Sequence, residues 1–420
     1  MSIGMSRRQV LKGAAGTAAF VGTAGATGSR AILDAAQAAE GAVTLDPSLP
    51  AGVRETAVLD TLPGKVPLLK LSYRPPNYET PVSHFNSLYT PNEAFFVRYH
   101  LANIPEVDAA TWRLKVGGEA AAKPFELTLD QLKTDFPAVE IVAVCQCSGN
   151  RRGLFAPHVP GVQWGYGAMG NAKWKGARLK DILERAGISK DALEIVMDGA
   201  DGPVLDKTPD FVKSLPVWKA LDENALVAYE MNGKPLPHFN GFPARIVIPG
   251  WTATYWIKHI TTIDARKTPF DGFWVKTAYR VPVGKFPTVQ RFTSQETAAN
   301  TPITEMVVNS MITNLVEGQK VAAGSPLEIK GFAWDGGYGI QAVDVSGDGG
   351  KTWQGAQLGD DAGRFSFRAF SLSLSSVKPG SVQLMARAFN KIGQSQTREL
   401  ILNPAGYNHN VMHAVTVVAA

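Results

Sequence analysis

The hydrophobic pattern changes character about two-thirds of the way along this 420-residue chain. Up to that point, short β-rich runs such as residues 93–99 alternate with helical runs such as residues 179–186, which end at Gly187 as a helix should. A chain of this length exceeds one ordinary domain. The pattern therefore predicts two domains, the first of them a mixed α+β domain over residues 86–285.

The second part of the chain has the pattern of a β-sheet protein. After a polar stretch at 286–303, which we interpret as a linker, residues 327–334 and 342–346 alternate between apolar and polar side chains. The glycine-rich residues 347–350 supply a hairpin turn. Several short strands at this spacing predict an all-β immunoglobulin-like sandwich over residues 304–420.

The basic charge of the chain is concentrated at its amino terminus. The whole chain carries a formal net charge of +5, but residues 1–38 contain four basic residues against Asp34, which accounts for +3 and leaves +2 for the remainder. A nucleic-acid-binding protein needs a basic stripe in its folded part, and no dense run of Lys and Arg occurs beyond residue 38. The composition therefore argues against nucleic acid as a partner.

Residues 1–38 have the features of an export signal. Arg7 and Arg8 precede a stretch rich in Ala, Gly and Thr, and residues 36–38 have the small-x-small form of a cleavage site. The stretch is too short and too weakly apolar to span a bilayer, which takes roughly 20 residues. We interpret it as a twin-arginine signal peptide, which predicts a periplasmic protein without a membrane anchor that is exported folded with a cofactor. The proline-rich residues 39–85 are predicted to form an extended arm.

The chain has two cysteines, and one residue separates them. If the segment is a strand, as residues 141–144 suggest, Cys145 and Cys147 project on the same face, where a disulfide would close a badly strained ring. We therefore expect both thiols to stay reduced, with Cys145 as a small buried hydrophobe. Cys147 is followed by Arg151 and Arg152, and neighbouring cations favour the thiolate that attacks carbon or binds a metal. The residues leave three roles open for it: nucleophile, structural thiol or ligand to a soft metal.

Several motifs occur in an order and at a spacing that form a family resemblance. They lie at residues 95–100, 147–152 (Cys-Ser-Gly-Asn-Arg-Arg), 165–176, 240–245 and 255–258. Together they resemble the sulfite oxidase family of molybdenum enzymes, and within it the molybdenum subunit of bacterial periplasmic sulfite dehydrogenases, the sulfite:cytochrome c oxidoreductases. The resemblance covers nearly the whole chain after the leader. It includes residues 304–420, which resemble the family's molybdenum-cofactor dimerisation domain.

The resemblance implies catalytic roles for four residues. Cys147 matches the thiolate that ligates molybdenum, in keeping with the preference of soft metals for sulfur. Arg98 and Arg152 match the arginines of an anion pocket, where a planar fork of donors suits an oxyanion such as sulfite. Tyr279 matches the tyrosine whose hydroxyl points at the substrate. For Arg151 we expect a structural role.

The resemblance also implies how the cofactor, one Mo-molybdopterin per chain, is held. Arg245 and Lys258 suit its phosphate, and the glycine-rich residues 165–176 are expected to lie close to it. The cofactor-binding residues that the resemblance implies are Phe96, Arg98, His100, Asp198, Asn240, Arg245, Trp256 and Lys258.

The implied activity is oxidation of sulfite to sulfate by oxygen-atom transfer at a molybdenum-pterin centre. The sequence has no Cys-x-x-Cys-His motif and no resemblance to a haem domain, so the electrons are expected to pass to a c-type cytochrome, as acceptor or subunit. The protein is expected to be a homodimer or a heterodimer with a haem subunit. Two alternatives stay open: a sulfur-oxidation pathway dehydrogenase of the same fold that acts on carrier-bound sulfur, and a non-enzymatic binding module.

Overall fold

A computed structural model describes residues 42–44, 56–284 and 298–420. The predicted signal peptide at 1–38 and most of the predicted linker at 286–303 lie outside the described residues. β-Structure dominates these residues, and their α-helices are short, so the helical share of the first domain is smaller than the α+β prediction implied. No helix in the described ranges has the length and apolar character needed to cross a bilayer. The α-helices are α1 (Leu129–Thr134), α2 (Leu179–Arg185), α3 (Val217–Ala220) and α4 (Phe273–Lys276).

The sequence explains where one of these helices begins and where another ends. Thr128 caps α1, because its side chain accepts from the backbone N–H of Gln131 while the Gln131 side chain accepts from the Thr128 N–H. α2 confirms the helix predicted at 179–186. Gly187 follows it with φ of +64°, a conformation that glycine adopts without strain.

Part of the segment predicted to form an extended arm, 39–85, pairs in a sheet. The strands of this sheet are β1 (Ala42–Thr44), β2 (Thr56–Asp60), β3 (Leu68–Ser72), β4 (Asn77–Glu79) and β5 (Val97–Arg98). Each pairs antiparallel with the next along the chain. The prolines that suggested an irregular arm lie in the connections, as Pro75 and Pro76 do between β3 and β4, where no ladder hydrogen bond is needed from them.

Two further sheets form the body of the first domain. Their strands are β6 (Leu114–Gly117), β7 (Phe125–Leu127), β8 (Ala138–Gln146), β9 (Met169–Arg178), β10 (Glu194–Gly199), β11 (Lys213–Pro216), β12 (Leu226–Met231), β13 (Lys234–Pro235), β14 (Arg245–Val247) and β15 (Ile260–Arg266). One sheet has the order β11-β10-β15-β6-β7, with β15 and β6 parallel. The other has the order β13-β12-β9-β8, with β14 paired to β12. Both contribute to one hydrophobic core that includes Trp174, Leu226 and Ile263.

Strand β8 leads directly to Cys147. Its first residues are half-buried or exposed, whereas residues 143–146 are all buried. The strand therefore runs from the surface into the core, and it delivers the cysteine loop to the interior of the domain.

The glycine-rich stretch at 165–176 serves packing. Gly170 lies against the ring of Phe95, where a Cβ atom would collide. The backbone N–H groups of Gly165 and Gly167 donate to the two carboxylate oxygens of Glu79, each at 2.8 Å. No residue of the stretch lines the cleft of the first domain that contains Cys147 and is described below. Through Phe95, which lines that cleft, the stretch supports the cleft wall, and the expectation that it lies close to the cofactor stays a prediction.

The second domain consists mainly of two sheets around one core. Its strands, with the two that join it to the first domain, are β16 (Arg280–Pro282), β17 (Asn300–Pro302), β18 (Asn309–Ile312), β19 (Lys320–Val321), β20 (Leu327–Trp334), β21 (Ile340–Ser346), β22 (Gln354–Gly355), β23 (Gln357–Leu358), β24 (Arg368–Leu374), β25 (Gly380–Asn390) and β26 (His413–Ala419). The sheet orders are β18-β20-β24-β23 and β19-β26-β25-β21-β22. Ile329 and Leu384, one from each sheet, are fully buried in the shared core. The strands predicted at 327–334 and 342–346 are confirmed as β20 and β21.

The two domains share a buried aromatic interface. Trp334 and Phe367 of the second domain pack in one cluster with Phe85 of the first. The indole Nε1 of Trp334 donates to Oε1 of Gln146, 2.7 Å away and one residue before Cys147. The second domain therefore supports the strand end that carries the cysteine.

Candidate active site

A cleft of about 660 Å³ opens in the first domain where β5 and β8 end. Four of the sequence motifs, all except the glycine-rich one, contribute to its wall. Of the eleven residues predicted for the site, nine line the cleft, and Arg152 and Asp198 do not. The nine are Phe96, Arg98, His100, Cys147, Asn240, Arg245, Trp256, Lys258 and Tyr279.

Cys147 lies in the cleft wall directly after β8. Its backbone N–H donates to the carbonyl of Ala168 at 2.9 Å, which fixes the main chain where the strand ends. Cys145 lines the same cleft, and both cysteines are buried, free thiols, as expected from the sequence. Burial raises the pKa of Cys145 to about 11, so this thiol stays protonated and serves as apolar wall.

The surroundings of Cys147 favour the metal-ligand role over the other two. A nucleophilic thiol needs a positioned base, but His100, the histidine among the described residues that line the cleft, is hydrogen-bonded to Tyr279. No group of three or more His, Cys, Asp and Glu residues that could hold a metal occurs in the described part of the chain. A metal at Cys147 would therefore take most of its ligands from a cofactor.

Cationic side chains outnumber carboxylates in the cleft wall. Arg98, Arg245 and Lys258 line it, and Asp201 is the one carboxylate among the described residues that do so. Nζ of Lys258 donates to the carbonyl of Arg98 at 2.9 Å. Burial, followed by the charge of Arg245, lowers the pKa of Lys258 well below its ordinary value. A cleft with this excess of positive charge is suited to anionic ligands.

Arg245 has the environment of a cofactor ligand. Its Cζ lies 5.2 Å from the ring centroid of Trp174 and 5.7 Å from that of Trp256. Nη1 donates to the carbonyl of Asn240 and Nη2 to that of Trp256, both at 2.9 Å. Within the described ranges, Nε of Arg245 and the hydroxyl of Thr254 in the same wall are buried without a hydrogen-bond partner. Buried polar atoms are seldom unsatisfied, so these groups fit a polar, anionic ligand such as the implied pterin phosphate.

Tyr279 and His100 form a neutral pair on one side of the cleft. The Tyr279 hydroxyl is hydrogen-bonded to Nε2 of His100, whose ring stacks on Phe211 with centroids 3.5 Å apart. Tyr279 has φ of +58°, a conformation uncommon outside glycine. Burial lowers the pKa of His100 well below its ordinary value and raises that of Tyr279.

A buried lysine behind Tyr279 was not anticipated from the sequence. Lys213 is fully buried in β11, and its Nζ donates to the carbonyl of Trp274 at 2.6 Å. The same nitrogen lies 4.5 Å from the ring centroid of Tyr255 and 5.2 Å from that of Tyr279. Burial, followed by the charge of Arg280, lowers the pKa of Lys213 to about 7. In the sequence it is one ordinary charged residue of a strand, so no local signal distinguishes it.

Arg152, predicted for the anion pocket, is not among the lining residues. Its Nε donates to the carbonyl of Ala405 at 2.8 Å, and its Nη1 donates to the carbonyl of Val162 at 3.1 Å. Its Cζ lies 5.2 Å from the ring centroid of Tyr407, and that ring stacks on Tyr279 at 5.3 Å. Arg152 is therefore connected to the tyrosine side of the cleft through a residue of the second domain.

Arg151 points away from the cleft into the domain interface. Its Nη1 donates to Oδ1 of Asn309 at 2.7 Å, and its Nη2 donates to the carbonyl of Ser310 at 2.9 Å. The residue is buried, with φ of +68°. These contacts agree with the structural role expected for Arg151 from the sequence. The two adjacent arginines, Arg151 and Arg152, therefore serve different parts of the molecule.

Asp201 lines the cleft in place of the predicted Asp198. Asp198 lies near the end of β10, and its Oδ1 is buried without a hydrogen-bond partner among the described residues. Burial, followed by the charge of Asp210, raises the pKa of Asp198 to about 7. Burial also raises the pKa of Asp201 to about 6, against the opposing charge of Lys258. The two carboxyls are three residues apart, with Asp198 inside β10 and Asp201 two residues beyond its end.

Asn240 is held from behind by Lys65, a second residue that the sequence did not single out. Nζ of Lys65 donates to Oδ1 of Asn240 and to the carbonyls of Asn92, at 2.6 Å, and Phe95, at 3.0 Å. Nδ2 of Asn240 donates to the carbonyl of Phe96 at 3.1 Å. Although Asn240 lines the cleft, its amide is therefore bonded within the protein. Burial lowers the pKa of Lys65 to about 7.

The chain matches two protein-family models. Residues 100–274 match the oxidoreductase molybdopterin binding domain, and residues 300–420 match the Mo-co oxidoreductase dimerisation domain. Cys147 and most of the cleft lie within the first match.

Relatives with assigned activities include two sulfite oxidases. The chain is 38% identical over 305 residues to the mitochondrial sulfite oxidase of Homo sapiens, covering 70% of this chain and 54% of that protein. It is 31% identical over 328 residues to the sulfite oxidase of Arabidopsis thaliana, covering 74% and 81%. It is also 30% identical over 325 residues to NADH nitrate reductase 1 of Oryza sativa subsp. japonica, covering 68% and 33%. The chain spans about half the length of the mammalian relatives.

The fold is similar to that in the crystal structure of the sulfane dehydrogenase SoxCD from Paracoccus pantotrophus. The TM-score is 0.70 at 24% identity, and the match covers 85% of this chain and 90% of that chain. At this identity the likeness concerns the fold.

Proposed function

This chain belongs to the sulfite oxidase family of molybdenum enzymes, whose cofactor is Mo-molybdopterin, and on this premise we propose that it oxidises sulfite to sulfate. The observation that carries the proposal is that the buried thiol of Cys147 shares one cleft with Arg98, Arg245 and Lys258. A soft metal ligand beside a cluster of cations suits a metal-bound cofactor together with an anionic substrate.

Cys147 is the proposed protein ligand to molybdenum. When bound, the molybdenum-pterin group supplies two-electron oxygen-atom-transfer chemistry. The cations of the wall would hold its phosphate, with the partnerless Nε of Arg245 as one donor. The other residues proposed to hold the group are Phe96, His100, Asn240, Trp256, Lys258 and Asp201, which line the cleft, and Asp198, which the resemblance implies.

Arg98, Arg152 and Tyr279 are the proposed catalytic side chains that handle the substrate: Arg98 and Tyr279 line the cleft, and Arg152, which does not, is proposed to act through its charge beside Tyr407 and Tyr279. Arginine donors fixed in a buried site favour an oxyanion without reorganisation when charge moves. The hydrogen bond to neutral His100 orients the Tyr279 hydroxyl. Several of the charged and polar groups that line the cleft are buried, and low polarity around them strengthens each charge interaction.

The cellular location, the electron acceptor, the domain limits and the oligomeric state are proposed as the sequence predicts them. The leader at 1–38 would send the folded protein to the periplasm, where a c-type cytochrome would accept the electrons as partner or subunit. The domain limits that we propose are 86–285 and 304–420, with the latter an immunoglobulin-like domain. Its two-sheet core and the match to a dimerisation domain support either a homodimer or pairing with a haem subunit.

Steady-state assays of the purified holoprotein with sulfite and cytochrome c test the activity. Rapid sulfate formation is expected. A protein that is inert toward free sulfite but reduces cytochrome c when given a sulfane-carrying protein would instead be a carrier-dependent sulfur dehydrogenase. A protein that contains no molybdenum after expression in a cofactor-competent host would overturn both and favour the binding-module alternative.

Cys147→Ser tests the metal ligand. We expect sulfate formation to fall by at least about a hundredfold, because the thiolate would be lost from the metal. Cys145→Ser is the matched control in the same wall, and it should retain most of the activity. Equal activity in the two variants would contradict the role proposed for Cys147.

A further inference from the structure

Tyr407 belongs to the second domain in sequence but to the first in packing. It is buried, and it is a member of the same hydrophobic core as Cys147 and Tyr279. The short segment 403–410 thus leaves the second domain and lies against the cysteine loop. The backbone N–H of Asn408 donates to the carbonyl of Ser148 at 3.4 Å, which joins the two segments directly.

The segment around Tyr407 is fixed by its own hydrogen bonds. The N–H of Tyr407 donates to Oδ1 of Asn403 at 3.0 Å, and Nδ2 of Asn403 donates to the Tyr407 carbonyl at 2.9 Å. Asn403 is buried, so both bonds are shielded from water. Gly406 precedes the tyrosine with φ of +61°, and a Cβ atom there would come within 2.8 Å of Arg152 and 2.5 Å of Val159. The close approach of this loop to Arg152 therefore requires glycine.

The Tyr407 ring contacts two residues proposed to handle the substrate. It lies nearly parallel to the ring of Tyr279, with centroids 5.3 Å apart and an interplanar angle of 6°. The guanidinium carbon of Arg152 is 5.2 Å from its centroid, and Nε of Arg152 donates to the carbonyl of Ala405 two residues earlier. Arg152 and Tyr279 are 127 residues apart in the sequence, and this ring contacts both.

We propose that Tyr407 is a positioning residue for the substrate pocket: its ring fixes Arg152 and Tyr279 relative to each other, and through it the second domain becomes part of the pocket. The inference rests on the proposed sulfite oxidation. A cation over an aromatic face and a parallel ring stack both require a π system, so an aliphatic side chain of similar volume cannot replace the ring. Arg152 would keep its bonds to the carbonyls of Ala405 and Val162 but lose the ring face against which its guanidinium lies, and anion binding would weaken.

Two substitutions separate this role from simple core filling. Tyr407→Phe keeps the ring, whereas Tyr407→Leu fills much of the same space without one. For the Leu variant of the holoenzyme we expect the KM for sulfite and the inhibition constant of sulfate to rise roughly tenfold, with a smaller change in kcat. The Phe variant should recover most of both losses. Tyr338→Leu, at a partly exposed tyrosine of the second domain that bonds Glu305, controls for general damage to that domain.

Three outcomes would overturn the inference. A Leu variant with the sulfite KM and sulfate inhibition of the wild type would exclude a role in the pocket. Equal losses in the Phe and Leu variants would assign the effect to the hydroxyl rather than the ring. Wild-type protein that turns over no sulfite would overturn the proposed function and this inference with it. Molybdenum content and melting temperature are measured for each variant, and Tyr407→Met replaces the Leu variant if the latter fails to fold.

Discussion

The hydroxyl of Tyr279 is hydrogen-bonded to Nε2 of His100, and the two rings meet at 66° with centroids 5.5 Å apart. Burial lowers the pKa of His100 well below its ordinary value, and the charges of Arg98, Lys258 and Lys213 act in the same direction. His100 is therefore neutral at physiological pH. The hydrogen bond between its Nε2 and the tyrosine aims the hydroxyl oxygen while the pair stays uncharged.

Tyr279→Phe removes this hydroxyl from the cleft. We expect kcat/KM for sulfite to fall by about 10- to 100-fold, the usual range for loss of one oriented polar group at a reacting centre. Steady-state assays with cytochrome c measure the change. The matched control is Tyr255→Phe, because the buried Tyr255 hydroxyl donates to the carbonyl of Ile303 at 2.6 Å outside the cleft. That variant should lose stability rather than activity, and equal kcat/KM values in the two variants would contradict the role of Tyr279.

Lys213→Met removes a positive charge that lies behind Tyr279. The pKa of Lys213 is about 7, so its charge is present below pH 7 and is lost as the pH rises above it. A buried cation near an anion site strengthens anion binding, so the variant should have a sulfite KM several-fold above the wild type. The ratio of the two KM values should be largest near pH 6 and approach one above pH 8. Steady-state assays across this range measure it.

A second buried lysine provides the control for this pH dependence. Nζ of Lys219 is paired with Asp222 at 2.9 Å, and Lys219 does not line the cleft. Lys219→Met should therefore give a KM ratio to the wild type that stays constant with pH. A constant ratio for the Lys213 variant as well would refute the electrostatic role.

The cysteine loop shows how much of the site could be predicted from the sequence. The motif at 147–152 places a thiol and two guanidinium groups together, and the expectations of a strand before Cys147 and of no disulfide between the two cysteines agree with the structure. The motif does not say where each arginine points. Arg151 adopts a left-handed backbone conformation and turns into the domain interface, whereas Arg152 turns toward the tyrosines. That divergence depends on the backbone path and on partners more than 150 residues away.

The residues that sequence reasoning missed are those whose environment is set by distant segments. Lys65, Lys213 and Tyr407 have no motif around them, and their neighbours in the structure come from other sheets or from the other domain. The resemblance pointed to Asp198, which lies within β10, whereas Asp201, two residues beyond the end of that strand, lines the cleft. The strands of the second domain, in contrast, were predictable, because strict alternation and a glycine turn are local signals.

Arg151→Met tests the connection between the cysteine loop and the second domain. The substitution removes the donors to Asn309 and to the Ser310 carbonyl and leaves both acceptors buried. We expect it to lower the free energy of unfolding by about 2–4 kcal/mol. Urea denaturation measures the loss. Arg387→Met is the control, because Arg387 pairs with Asp344 at the partly exposed surface and should cost less than about 1 kcal/mol. Similar losses in the two variants would contradict a special role for Arg151.

His413 should make the folded protein sensitive to acid. Burial, followed by the charge of Arg151, lowers its pKa to about 3, and its Nδ1 accepts from the backbone N–H of Ile312 at 3.2 Å. Because the folded pKa lies below the unfolded value, the stability that His413 contributes is complete above pH 6.5 and is lost as the pH falls, by on the order of 2 kcal/mol at pH 5. His413→Gln keeps an acceptor for Ile312 but cannot ionise, so urea unfolding at pH 7 and pH 5 should show a smaller acid loss than in the wild type. His158→Gln, at an exposed histidine, is the control and should follow the wild type at both pH values. If the His413 variant loses as much stability at pH 5 as the wild type, the acid sensitivity comes from another group, because this variant has no imidazole at position 413 to protonate.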